Sequence, residues 1–148
     1  MSELQAVLFD LNGQLYGAEA SQVFQIIRYK EPEKVPRMPK FIEGILNFRD
    51  SILPVISLVK RFNLGESAIT KKTKILVTRL EDSYIGFIVN DVTEIVEFSA
   101  DEVDPVPAVE KTGVSAYLKK VGKKNDKMIF IVDLENVLDE NEIKRLKR

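Results

Sequence analysis

The chain has 148 residues, a formal net charge of −1, 45% apolar and 30% charged residues, a balance that supports a real core and excludes wholesale disorder. Neither Cys nor His occurs, which excludes disulfides, thiolate and imidazole metal sites, cysteine nucleophiles and His-based proton transfer. The near-zero charge gives no bulk attraction to nucleic acid or an anionic membrane, and no stretch approaches the ~20 apolar residues of a spanning helix.

Val and Ile number 30 against 21 for Leu and Ala, and Cβ-branched residues suit a pleated sheet. In chain order, apolar runs predict strands at Ala6–Leu11, Val23–Ile27, Ile52–Ile56, Ile75–Leu80, Ile85–Val89, Thr93–Phe98 and Met128–Val132. Turn formers separate several of them: Asn12-Gly13, Glu81-Asp82-Ser83 and Asn125-Asp126. Pro32, Pro36 and Pro39 predict an extended connector over Glu31–Lys40. A helical turn is expected after Pro39, where Phe41, Ile42, Ile45 and Leu46 cluster at helical spacing. Pro54 lacks a donor, which places its strand at an edge or a bulge. A short helix is predicted from Leu58 to Phe62, ahead of Gly65. A second runs from about Glu135 to the C-terminus, with acids early and bases late as the helix dipole favours. Short strands with frequent turns make the chain all-β, a sandwich or barrel.

An internal repeat organises these elements. At an offset of 69, Gln5–Ile27 lies over Lys74–Val96, pairing Leu11 with Leu80, Gly17 with Gly86, Val23 with Val92 and Ile26 with Ile95. Ile52–Leu58 likewise lies over Met128–Leu134, pairing Val55 with Ile131, and each block leads into a short helix. Two units of about 70 residues would be marginal alone, so a shared apolar interface is expected. The unit boundary falls near residues 66–74, and strand exchange across it is left open.

Little in the sequence points to catalysis. Gly13 to Gly17 lacks the Gly-Lys-Ser/Thr ending of a phosphate loop and reads as turn geometry. Glu97, Asp101, Glu102 and Asp104 match no calcium-loop spacing and read as a solvated face. Lys119–Lys127 holds five Lys without Arg or interleaved aromatics, a solvated hairpin rather than a nucleic-acid surface. Arg49 is different: flanked by Phe48 and followed by Ile52, it has an apolar stem, a planar head and five donors, the makings of a binding anchor. A surface ion pair, for instance with Asp50, is the plainer alternative.

The residues Tyr16-Gly17, Val23-x-x-Ile26, Val35-Pro36-x-x-Pro39-x-Phe41-Ile42-x-Gly44-Ile45-x-Asn47-x-Arg49 and Ile52-x-Pro54-Val55-Ile56-x-Leu58 resemble the chemotaxis coupling protein family CheW. The resemblance continues through Gly86-x-x-Val89-x-x-Val92 to Ile131-Val132-Asp133-Leu134. It implies one domain over 1–148 made of two five-stranded SH3-like barrels sharing a core, with approximate subdomains 1–70 and 71–148. It also implies a cytoplasmic, non-catalytic scaffold without cofactor or metal, held at membrane receptor clusters through its protein partners. Those partners would be the cytoplasmic hairpin tip of methyl-accepting chemoreceptors and the regulatory domain of the histidine kinase CheA, with no nucleic acid and no membrane insertion. By the same resemblance, Arg49 with Phe41, Ile42 and Phe48 as an apolar floor, and Gln25, face the receptor. Val23, Ile26 and Gly44 face or support the kinase surface. The alternative is an excised CheW-like domain of a CheA kinase or of a CheV adaptor. The chain departs from the family pattern at Gln25, Asp50, Ser57 and Lys120.

Overall fold

The computed structural model describes residues 2–106 and 117–146. Its strands are β1 (Ser2–Leu11), β2 (Gln14–Glu19), β3 (Gln25–Arg28), β4 (Ile42–Phe48), β5 (Ser51–Ser57), β6 (Lys74–Leu80), β7 (Ser83–Val89), β8 (Asp91–Ser99), β9 (Val103–Pro105), β10 (Leu118–Lys124) and β11 (Lys127–Val132). Two short helices accompany them, α1 (Leu58–Arg61) and α2 (Glu140–Leu146). Strand order is β8-β1-β2-β11-β10-β9 in one sheet and β3-β6-β7-β5-β4 in the other.

Each sheet closes on itself. β8 and β9 are separated only by a 3-10 turn, Ala100–Glu102, yet one pairs with β1 and the other with β10. They are the two arms of one bent strand joining opposite edges, so the six segments make a five-stranded barrel. In the second sheet β3 pairs with β6, and Glu33 further along exchanges two 2.9 Å backbone hydrogen bonds with Ile45 on β4. Closure leaves few unpaired edge groups.

The barrels do not follow the halves of the sequence. The first combines β1 and β2 with β8 to β11; the second combines β3 to β5 with β6 and β7. β2 runs parallel to β11 with Gly17 opposite Ile131, and β7 runs parallel to β5 with Gly86 opposite Val55. These are corresponding positions of the repeat, so each unit lends its first hairpin to the other's barrel. A Cβ at Gly86 would lie 2.8 Å from Ile75 Cγ2, and one at Gly17 3.0 Å from Ile131 Cδ1; only glycine lets the strands and their inward side chains approach so closely.

Alternation along the strands sorts the core. Leu4, Ala6 and Leu8 point into the first barrel with Phe98, Ile129 and Ile131. Leu53, Val55, Ile75 and Val77 fill the second with Phe48 and Ile88. Phe9, Leu11, Tyr16, Leu76, Phe87, Val89 and Val132 join Leu58, Val59 and Phe62 around α1 in a third cluster shared by both. A buried polar clip ties the connection after β2 to the segment after β11: Gln22 Nε2 donates to Asp133 Oδ1 at 2.8 Å, and Leu134 N–H to Gln22 Oε1 at 2.8 Å. Burial alone would raise the Asp133 carboxyl, but hydrogen bonds from Asn136, Gln22 and Lys119 outweigh it and hold it below the usual Asp range.

Three local expectations are overturned. A single hydrogen-bonded turn follows Pro39, with Ile42 N–H donating to its carbonyl at 3.1 Å, but Ile42, Ile45 and Leu46 lie in β4 and not on a helix face. A bulge between Ile42 and Gly44 puts Ile42 on the opposite face from Leu46 and Phe48, so apolar residues occupy both faces and mimic helical spacing. β5 lies between β7 and β4, not at an edge. Pro54 is tolerated because Ile45 opposite it bonds to Glu33 instead, and the ladder to β7 starts only at Val55. The C-terminal helix begins at Glu140: Leu134–Asn136 form a 3-10 turn, and Leu134, Val137 and Leu138 are buried. Asp139 and Glu142 then cap α2 reciprocally through bonds of 2.8 and 3.0 Å.

Candidate surface site on the second barrel

Arg49 and Asp50 are the two central residues of the β4–β5 hairpin turn, both at positive φ, 50° and 62°, the backbone of a type I′ turn. The exposed Arg49 side chain is held from below and from one side. Its guanidinium carbon lies 5.0 Å from the Phe24 ring centroid and 5.6 Å from that of Phe48, and its Nη2 donates to Gln25 Oε1 at 3.1 Å. Tyr84 completes the platform, its ring centroid 5.2 Å from Phe24 and 5.1 Å from Phe48. Among the described residues no carboxylate lies within 4.0 Å of the guanidinium, Asp50 included, so the ion-pair alternative is not realised.

Of the residues expected with Arg49, the fold brings Phe48 and Gln25 to it. Phe41 and Ile42 lie at the other end of β4, eight and seven residues from Arg49, which is ~25 Å along a strand. Phe41 stacks under Arg61 of α1 at 5.7 Å, and Ile42 is buried opposite Ile56; neither floors the Arg49 site. Phe24 and Tyr84 take that place. Phe24 was visible as an apolar residue beside Gln25 in the β3 run, whereas nothing local marks Tyr84, which reaches the site through the β5–β7 pairing.

Val23, half-buried, packs against the shared core just before β3, and Ile26 on β3 is exposed. Gly44 is buried in the β4 bulge with φ 154°, and a Cβ there would lie 2.6 Å from the Glu33 carbonyl oxygen. Val23 and Ile26 thus lie three residues apart on the β3 segment, the first packed inward and the second exposed, and Gly44 supports the closure of the same barrel. An open apolar groove of about 200 Å³ runs along the outside of this barrel, lined by Val35, Met38, Ile45, Ile52, Pro54 and Tyr84 among others. Tyr84 belongs to both groove and platform.

Four lysines of the hairpin pair with carboxylates, two of them in the acidic cluster. Lys119 pairs with Asp133, Lys120 with Glu19, Lys123 with Asp104 and Lys124 with Glu102. Glu102 and Asp101 also bond Ser99 at the 3-10 turn. No group of three or more potential metal ligands occurs among the described residues, nor is any helix there long and apolar enough to cross a membrane.

Two interlocked SH3-like barrels, with aromatic rings under an arginine that has no carboxylate partner among the described residues, define a double β-barrel module. The sequence profile of the CheW-like domain matches residues 5–142, and the chain belongs to that family. It is 29% identical to the chemotaxis protein CheW of Bacillus subtilis (strain 168), over 90% of this chain and 85% of that protein. Identity to chemotaxis protein CheW of Treponema pallidum (strain Nichols) is also 29%, over 97% of this chain and 87% of the relative. The crystal structure of the scaffolding protein TtCheW from Thermoanaerobacter tengcongensis superposes with a TM-score of 0.83 at 33% identity, covering 96% of this chain and 91% of that one.

Proposed function

We propose that this chain is a non-catalytic adaptor that couples the cytoplasmic hairpin tip of methyl-accepting chemoreceptors to the regulatory domain of the histidine kinase CheA. It works in the cytoplasm, at receptor clusters, and it reaches the membrane through its partners. The observation that carries this reading is Arg49, presented on a hairpin turn over aromatic rings with no carboxylate partner among the described residues. An arginine so placed has donors left for a partner and loses little freedom on binding. Gln25 and Phe48 belong to that receptor-facing surface, while Phe41 and Ile42 act at a distance, by holding the far end of β4. Val23 and Ile26 form the kinase-facing surface, which Gly44 supports. Two closed barrels with a common core hold two such surfaces at fixed geometry. Receptor state then reaches the kinase only through contacts whose free energy differs between signalling states.

Co-sedimentation with receptor-bearing membranes, with and without kinase, tests this reading. The wild-type chain should sediment with receptor and bring kinase regulatory domain down with it. Arg49→Ala should lose about 2 kcal/mol, some thirtyfold in receptor affinity, with kinase binding and melting temperature near wild type. Arg49→Lys should recover only part, because the planar fork is gone. Wild-type retention of Arg49→Ala on receptor would sink the assignment.

A further inference from the structure

Phe24 is a large aromatic residue left 40% exposed, although its backbone is firmly placed: its N–H donates to the Val77 carbonyl at 2.7 Å, just ahead of the β3–β6 ladder. Burial does not explain an exposed ring at this position. Its contacts do. Phe48 meets it nearly edge-on, at 81° and 6.4 Å, Tyr84 covers it at 5.2 Å, and the Arg49 guanidinium sits 5.0 Å from its centroid. The β4–β5 turn would otherwise leave a long, rotatable side chain free in solvent, at a considerable entropy cost on binding. Gln25, the acceptor beside it, is neutral. The arginine is thus oriented without being neutralised.

We propose that Phe24 is a positioning residue for Arg49: with Phe48 and Gln25 it holds the guanidinium in place while leaving its charge unpaired, so that the surface selects a carboxylate on the docking partner. The inference rests on the receptor-facing reading of Arg49 given above. An acidic side chain in the place of Gln25 would orient the guanidinium equally well but satisfy its charge internally. A ring does so through its quadrupole, which needs no countercharge and consumes none of the five N–H donors. A partner carboxylate can then take a bidentate pair of N–H groups, the pairing that matches guanidinium geometry.

The test is a binding titration of the full-length chain against a soluble receptor cytoplasmic fragment containing the hairpin tip, with melting curves for every variant. Phe24→Leu keeps an apolar side chain and removes the ring; affinity should fall about two- to fivefold, the range of an exposed cation–π contact. Phe24→Tyr keeps the ring and should bind as wild type. In an Arg49→Ala background Phe24→Leu should change nothing further, and raising ionic strength should weaken the wild type more than Arg49→Ala. Phe24→Met substitutes for Phe24→Leu if the latter melts early. Wild-type affinity of Phe24→Leu, with Arg49→Ala weakened, overturns the positioning role and leaves the receptor-facing reading standing. An equal loss in both backgrounds also overturns it, since Phe24 would then touch the partner on its own account. Equal salt dependence of wild type and Arg49→Ala overturns carboxylate selection. If Arg49→Ala binds as wild type, reading and inference fall together.

Discussion

Asp50 sits at φ 62° beside Arg49 at φ 50°, a conformation in which a side chain costs energy and glycine does not. Type I′ turns favour glycine at the second central position, which Asp50 occupies here. Asp50→Gly should therefore raise stability, by about 0.5 kcal/mol after the larger entropy of the unfolded chain is set against the relieved strain. The denaturation midpoint measures it, and a lower midpoint would mean that Asp50 contributes a contact not visible at the turn. Asp133 acts at the same scale with the opposite sign. Its folded pKa is depressed by the Asn136, Gln22 and Lys119 bonds against the cost of burial. The stabilisation it contributes is fully present above the unfolded Asp value of about 3.9 and is lost as pH falls through the lower folded value. Asp133→Asn should therefore cost stability at neutral pH and flatten the acid limb of the stability curve below about pH 4. An unchanged acid limb in urea melts across pH would remove the carboxylate from that role.

At the scale of elements, Gly44 shows how a segment read as helical becomes a strand. Its backbone approaches Glu33 and Pro32 so closely that a Cβ would lie 2.6 Å from the Glu33 oxygen and 2.8 Å from Pro32 Cβ. That contact is the one closing the second barrel. Gly44→Ala should cost about 1–3 kcal/mol in chemical denaturation and speed hydrogen exchange at Glu33 and Ile45 first. Exchange that instead rises evenly over both barrels would place the damage elsewhere. The attachment of α2 offers a second case. Arg61 and Glu142 form a bidentate pair at 2.7 and 2.6 Å, their side chains only 18% and 14% exposed, and the Arg61 guanidinium also lies over Phe41 and Tyr117. Lys60–Glu43, at 3.0 Å, has its lysine 58% exposed. Glu142→Gln should cost about 1–3 kcal/mol, since it leaves a largely buried cation short of its partner, whereas Glu43→Gln should stay within about 0.5 kcal/mol. Equal midpoints for the two variants would show that α2 contributes little to the folded state.

For the whole molecule, the exchange of hairpins decides what can fold alone. Residues 1–73 contain β1 and β2, whose partners β8 and β11 lie beyond them, together with β3 and β5, whose partners are β6 and β7. Neither half holds a complete barrel, and the shared cluster takes residues from both. Residues 1–73 and 74–148 expressed separately should each lack a cooperative melting transition, and mixing them should restore strand signal in circular dichroism. A cooperative transition in either half alone would show that a unit can close on its own hairpin, without the exchange.

Much of this architecture is legible one residue at a time. Alternating Val and Ile, Asn-Gly and Asn-Asp turns and the absence of Cys and His are local properties, and they suffice for an all-β chain without thiol or imidazole chemistry. The repeat goes further: Gly17 over Gly86 and Val55 over Ile131 are the residues that meet in the two parallel pairings, because equivalent packing demands leave the same glycine and similar Cβ-branched residues. Which copy of each hairpin pairs with which is a different matter. Both arrangements bury the same side chains in the same register, so residue pattern does not distinguish them, and the connections and shared core select one. The site divides in the same way. Arg49, Phe48 and Gln25 carry their chemistry in the sequence, but a bulge at Gly44 turns Ile42 away from Phe48, and Phe41 lies a strand's length from the arginine. Tyr84 arrives from a strand 35 residues later in the chain, through pairing that no local periodicity records. Residue type and spacing determined the strands, the turns and the candidate anchor; the company that anchor keeps was decided by barrel closure, because side chains distant in sequence meet only when the sheet curls.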